Sequence, residues 1–373
     1  MKKFLQNFIR PLDLPLLFAA AAASVFGIML VISAVHNPPA GVSPSRLVLV
    51  QILAAVLGLA FTFLLSYIDY HFFEPISKFC VPIAVVALAA IGLFAPEIAG
   101  NNSWLVIFGV SVQPSEFIKL VYIVTLAAHM SKLGDEINKP KNLFFLFLHA
   151  GAYIAGVLIQ KDMGMATIYA LIFIIMLIIS GFKIKYLFMC AVPVIASIPF
   201  IWNFVLKDRQ RFRILTMFNP ELDPLGYGYQ VIRSKIALGS GKFLGAGYMQ
   251  GVMTQTNALP AKHTDFIFSV CGEEFGFVGC LAVISLLLFI VARIFNNAKK
   301  STDSFGKTIL VGVSAMFLVQ VIINIGMCVG LTPVIGITLP FFSAGGSSML
   351  AVWLAIGLVM SVLRHRKKNW QEA

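Results

Sequence analysis

The sequence predicts an all-α membrane protein, a bundle of about ten transmembrane helices with a long outer loop between helices seven and eight and a re-entrant-like loop before helix ten. Three observations predict it. The 373-residue chain is 59% hydrophobic with a mean hydropathy of +0.90. Only 12% of its residues are charged, against about 25% in soluble domains. Apolar runs long enough to span a bilayer, roughly 17–25 residues, recur from end to end.

Those runs are Leu14–Val35, Leu47–Ile68, Phe79–Ala95, Pro114–Ser131, Leu143–Gln160, Met163–Ser180, Tyr186–Leu206, Phe266–Ala292, Thr308–Gly330 and Gly346–Leu363. The fifth and sixth nearly touch, so they form a tight hairpin. The first is of spanning length and lacks a small-residue cleavage site, so a cleavable signal is not expected. The expectation is one polytopic domain over residues 1–373, with no linker, low-complexity tract or internal repeat. Cys80, Cys190, Cys271, Cys280 and Cys328 are scattered and mostly within apolar runs, so they read as small buried hydrophobes.

Basic residues set the orientation. Lys and Arg crowd the loops on the side of the two termini, from Lys2, Lys3 and Arg10 to Arg364, Arg366, Lys367 and Lys368. The short loops of the other side hold only Arg46 and Lys161. Both termini are therefore expected in the cytoplasm, in a multi-pass protein of the cell membrane. The net charge of +12 is in part this topological excess. No basic run lies on a soluble domain, so nucleic acid is not an expected partner.

The long outer segment, about 207–263, carries charge that topology does not require. Lys207, Arg209, Arg211, Arg213, Arg233, Lys235, Lys242 and Lys262 outnumber Asp208, Glu221 and Asp223. Its glycines, including Gly226, Gly239, Gly241, Gly245 and Gly251, would let backbone N–H groups approach a phosphate. Anion binding is the expectation; a basic flexible loop is the plainer one. Residues 331–348 are apolar yet broken by Pro333, Gly336, Pro340, Gly345 and Gly346. Such backbone cannot face lipid, so it packs in protein or lines a cavity.

Ionisable groups inside membrane runs are expensive and read first as functional. Glu116 and Lys119 share a face of the fourth helix by their i, i+3 spacing. Asp162 lies at the tip of the hairpin, and Asp265 opens the eighth helix. All four fall at the outer surface. Lys119 pairs with Asp162 or with Glu116. Asp265 is then the carboxylate without a cation, unless it merely caps its helix. Glu273 and Glu274 lie deeper, about 12 Å along the axis, where internal hydrogen bonding is the expected role. The six histidines show no metal-ligand spacing, and no metal site is expected. Glu116 or Asp265 could hold a divalent ion such as Mg or Mn beside a phosphate.

Several stretches resemble the SEDS family of bacterial cell-wall proteins (shape, elongation, division and sporulation). They are Gln113-Pro114-Ser115-Glu116-Phe117 with Lys119; Gln160-Lys161-Asp162-Met163-Gly164; Asp223-Pro224-Leu225-Gly226; Ser234-Lys235-Ile236-Ala237-Leu238-Gly239; His263-Thr264-Asp265-Phe266-Ile267-Phe268; Gly272-Glu273-Glu274; and Asn324-Ile325-Gly326-Met327 leading to Pro333, Gly336, Pro340 and Ser343. The resemblance runs in order over nearly the whole chain and is greatest to the elongation members. The chain departs from the pattern at Asn101-Asn102-Ser103, where Arg usually precedes Trp104, and at Lys161, Met165, Lys262 and Ala344.

The resemblance implies a peptidoglycan glycosyltransferase that polymerises lipid II, with Asp265 catalytic, Lys119 and Asp162 as a supporting ion pair and Glu116 as a second functional acid, acting through a cation. An α-linked donor giving a β-linked product needs one inversion, hence one general base. Arg209, Arg213, Arg233 and Lys235 are the candidates for the leaving pyrophosphate. The implied partners are lipid II, a class B penicillin-binding protein and other membrane proteins of the elongation complex. Two other classes stay open. A transporter of a lipid-linked precursor would place its site near the midplane on repeated halves; a non-catalytic scaffold would need no chemistry.

Overall fold

A computed structural model describes residues 12–366 except 40, 42, 99, 108, 184, 187–195, 197–198, 206–207 and 224–225; residues 201, 205 and 209 are described in backbone only. The elements are α1 (Leu14–Ala34), α2 (Pro44–Tyr67), α3 (Phe73–Phe94), β1 (Leu105–Ile107), β2 (Val110–Val112), α4 (Pro114–Leu133), α5 (Pro140–Ile159), α6 (Met163–Ile179), α7 (Asp208–Phe218), α8 (Tyr227–Ser240), α9 (Val252–Gln255), α10 (Ile267–Lys299), α11 (Ser304–Val329) and α12 (Gly346–Arg366). Among the described residues, α1 to α5 and α10 to α12 make eight helices long and apolar enough to cross a membrane, and α6 is a shorter apolar one. The expected run Tyr186–Leu206 lies mostly outside the described residues.

The helices form where the apolar runs lie because a lipid-facing backbone must satisfy its own hydrogen bonds. α2, α3 and α5 turn much of their surface outward, with Leu49, Val56, Leu64, Ile83, Phe94 and Leu148 exposed. α11 and α12 are buried along most of their length and form the centre. Small residues set the closest contacts. Gly58 of α2 lies against the Trp353 side chain, and Thr62 Oγ1 donates to the Trp353 carbonyl at 2.7 Å.

The segment after α6 is built of helices, so the plainer expectation of a flexible basic loop does not hold. It contains α7, α8 and α9, and Gly241, Gly245 and Gly251 sit in close contact with residues 272–274 of α10. α10 breaks at Gly276, at φ 65° and ψ −160°, a region only glycine occupies readily. The break frees two carbonyls and two amides, and the strip 242–247 takes all four. Ala246 N donates to Glu273 O and Gly247 N to Glu274 O, at 2.9 and 3.0 Å. Phe277 N donates to Lys242 O and Val278 N to Phe243 O, at 3.0 and 3.2 Å. A Cβ at Gly245 or Gly276 would strike backbone atoms of the other strand. Residues 331–345 are irregular and largely buried, as their prolines and glycines required.

Candidate active site

A cavity of about 450 Å³ opens at the helix ends where α4, α6, α10 and α12 begin. Asn101, Trp104 and Ser111 form one wall; Glu116, Asp162, Arg213, Tyr227, Gln230, Thr264 and Asp265 form others; residues 334–338 and 344–348 complete it. It therefore joins Glu116, Asp162, Arg213 and Asp265, four of the residues expected from the sequence, and the irregular 331–345 segment lines it as expected.

Asp265 lies in a turn, two residues before α10, whose N-cap is Phe266. The capping role is thereby excluded. Three successive carbonyls hold the turn. His263 O accepts from Ala344 N at 2.8 Å, Thr264 O from Ser343 Oγ at 2.6 Å, and Asp265 O from Asn324 Nδ2 at 2.9 Å. Asn324 also donates to Ile337 O at 2.7 Å, so one amide ties the turn to the irregular segment. Burial pushes the Asp265 carboxyl up to about 6, against the opposing pull of the Thr264 hydroxyl and of Arg213. No lysine or arginine pairs with it among the described residues. A carboxylate raised in this way, largely buried but facing a cavity and without a counter-ion, is equipped to take a proton near neutral pH.

The expected Lys119–Asp162 pair is replaced by another. Lys119 Nζ lies 2.7 Å from Glu116 Oε2, both side chains buried. The i, i+3 geometry within α4 brings the two together at no cost in helix position. Asp162 is the N-cap of α6 instead: Oδ1 accepts from Met165 N and Oδ2 from Gln113 Nε2, each at 2.9 Å. Its carboxyl is raised by burial. Glu116 reaches the cavity edge already paired, which leaves Asp265 as the cavity acid with neither a cation nor a backbone amide on its carboxylate.

The four expected phosphate ligands divide. Arg213 lines the cavity, donates to Tyr227 Oη at 2.8 Å and stacks on that ring at 4.6 Å. Arg233 stacks on Tyr229 at 4.9 Å, away from the cavity. Lys235 lies against Gly330 at the C-terminus of α11, where free carbonyls attract a cation. Neither lines the site. The Arg209 side chain lies outside the described residues.

The donor set does not fit a divalent cation. Both Asp162 oxygens and Glu116 Oε2 are engaged, Lys119 stands where a metal would compete, and no group of three or more His, Cys, Asp or Glu converges among the described residues. Glu273 and Glu274 have the internal roles expected. Glu273 accepts from Met253 N, Thr254 N and Thr254 Oγ1 at 2.7, 2.9 and 2.7 Å; Glu274 accepts from Ser33 and Gln255. Sequence reasoning missed Gln320, at the cavity wall with both amide atoms unpaired, and Tyr227. An amide side chain within an apolar run, one of two there with Asn324, was the available signal for Gln320.

The sequence profile of the FtsW/RodA/SpoVE family, described as cell cycle protein, matches residues 14–368. The chain belongs to this family. Escherichia coli peptidoglycan glycosyltransferase MrdB is 34% identical over 83% of this chain and 84% of its own length. A chain of a peptidoglycan synthase complex, solved for the structural coordination of polymerization and crosslinking, superposes with a TM-score of 0.81 at 28% identity, covering 95% of this chain and 98% of that one. The Thermus thermophilus rod shape determining protein RodA superposes at 0.69 with 26% identity, over 95% and 97% of the two chains. The FtsW/RodA/SpoVE member described here is accordingly a multi-pass membrane enzyme, a peptidoglycan glycosyltransferase.

Proposed function

We propose that this glycosyltransferase polymerises lipid II in the cavity around Asp265, at the outer face of the cytoplasmic membrane. The observation that carries the reading is Asp265 itself: an uncapped, unpaired carboxyl raised to about 6 in a cavity that also contains Arg213. An acceptor sugar hydroxyl gives its proton to Asp265 as its oxygen bonds to the donor anomeric carbon. The bond from that carbon to phosphate breaks, and the pyrophosphate leaves with its charge toward Arg213. One displacement inverts the centre, so no second carboxylate acts as nucleophile. Glu116 and Lys119 hold the cavity wall as a compensated pair. Gln320 offers an amide to the sugar. The position of the cavity at helix ends favours a transferase over a transporter.

The excess of Lys and Arg in the loops on the side of the termini supports a cytoplasmic position for both. The likeness to a chain of a peptidoglycan synthase complex supports a class B penicillin-binding protein as partner, within an elongation complex. The test is polymerisation by the purified chain with its cognate partner, supplied with lipid II and resolved as glycan ladders on a gel. Wild type yields ladders and Asp265→Ala none. Equal ladders from both would sink the assignment.

A further inference from the structure

A second cavity, of about 380 Å³, opens at the other end of α10 from Asp265, where α1 begins and α12 ends. The chemistry above does not use it. Arg293 of α10, Lys300 at the C-cap of that helix and Arg366 of α12 line it, with Asp13 at the N-cap of α1 and the apolar Leu14 and Leu363. Membrane topology asks for basic residues on this side, but it asks for them in loops. It does not ask for Arg293 inside a helix, or for cations from two helices to meet at one cavity. Three cations stand here against one carboxylate, an excess of two positive charges. That carboxylate is spent. Asp13 Oδ1 accepts from Leu16 N at 3.2 Å and Oδ2 from Asn297 Nδ2 at 2.9 Å; both accept from Arg293 Nε, at 3.1 and 2.9 Å. Arg293 uses only Nε in this, so its two amino groups keep no partner among the described residues. Arg366 gives one amino group to Asn297 O at 2.9 Å. Lys300 forms no ion pair among the described residues. Guanidinium forks beside an ammonium suit the oxygens of a phosphate.

Toward the membrane centre the surface turns apolar. Phe18 stands one turn beyond Leu14 on α1, and Phe289 one turn before Arg293 on α10; both are exposed. Each pair has i, i+4 spacing and so shares a helix face. α1 leaves the cavity and α10 arrives at it, so both rings lie on the bilayer side of the cations. Cations above exposed aromatic surface match the order of a phospholipid, headgroup above chains. A free anion would need the cations alone. We propose that this cavity binds an anionic glycerophospholipid of the phosphatidylglycerol type. Its phosphate meets Arg293, Lys300 and Arg366, and its acyl chains lie along Phe18 and Phe289. A zwitterionic lipid brings a cation of its own, which the excess positive charge repels. The bound lipid links the start of α1 to the ends of α10 and α12. This site is independent of the chemistry at Asp265.

The test places the full chain in phosphatidylcholine nanodiscs with a trace of phosphatidylglycerol that carries a photoreactive diazirine in one acyl chain. After irradiation the labelled peptides are read by mass spectrometry. Label is expected on the peptides that hold Phe18 and Phe289. Unlabelled phosphatidylglycerol should displace it, and neither inorganic phosphate nor glycerophosphoglycerol, the headgroup without chains, should do so. Lys300 makes no side-chain hydrogen bond within the described fold, so its variants test the site without disturbing the bundle. Lys300→Gln should weaken the affinity for phosphatidylglycerol about fivefold, the usual worth of one basic residue at an anionic lipid. Lys300→Glu should weaken it further, and Lys300→Arg should restore it. Label confined to other helices, equal label from a diazirine phosphatidylcholine, or an unchanged affinity in Lys300→Glu overturns the proposal. Displacement by inorganic phosphate reduces the site to one for a free anion and overturns the lipid assignment too. Asp265→Ala should take the label as wild type does, so a failure of the catalytic reading is read separately.

Discussion

Asp265 and Glu273 stand eight positions apart on the same stretch of chain, and their surroundings differ in kind. Glu273 receives three hydrogen bonds, two of them from the N-terminal amides of α9. Asp265 has its backbone carbonyl fastened to Asn324 while its carboxylate faces the cavity. One acid is fixed by its head and the other by its main chain. Acids buried in a membrane protein divide on this point: a saturated carboxylate is structure, and one positioned but unsaturated is available for chemistry.

The comparison breaks first at Asp265. Asp265→Ala should lower polymerisation about 1,000-fold, within the usual contribution of a general base, without lowering the melting midpoint. The raised carboxyl also has a stability consequence. Its folded value exceeds the ordinary one, so ionisation costs folding stability above about pH 6 and the cost fades as pH falls toward the unfolded value. Asp265→Asn should therefore melt higher than wild type at pH 7 and no higher at pH 4.

Glu273→Leu should do the reverse. Removing the acceptor orphans three donors, at about 3 kcal/mol in total. The protein should melt several degrees lower while the folded fraction polymerises at its normal rate. If instead its kcat falls as far as that of Asp265→Ala, the division fails.

Smaller effects sharpen it. The wild-type rate should rise about tenfold per pH unit up to about pH 6 and then level; a profile flat between pH 5 and 7 would remove Asp265 as the base. Asn324→Ala, which frees the turn, should lower kcat about tenfold and leave KM near its normal value. The exposed Lys161–Glu97 pair, 2.6 Å apart, is the control: Lys161→Ala should change stability by less than about 0.5 kcal/mol.

The membrane helices were legible because a lipid-facing backbone leaves so few options, and nine of the ten runs coincide with described helices. Their depth along the chain also located Asp265, Glu116 and Asp162 at one end. Pairing was less legible. Lys119 had two acids within reach of any plausible bundle, and only the packing of Gln113 against Asp162 settles that Glu116 takes it. Net charge counted Arg233 and Lys235 with Arg213, yet charge carries no direction, and the turn of α8 sends those two away from the cavity. The glycines are ambiguous for a related reason. Close approach of backbone to phosphate and of backbone to backbone ask for the same residue, and the break at Gly276 supplied the second.

That break has a mechanical meaning. Residues 273–278 exchange main-chain hydrogen bonds with strip 242–247 where an unbroken helix would have continued its own. This first part of α10, with Asp265 at its head, is spliced to the segment that also carries Arg213. A force that shifts the segment is transmitted to the base, and the amides of Ala246, Gly247, Phe277 and Val278 should exchange with deuterium as one group.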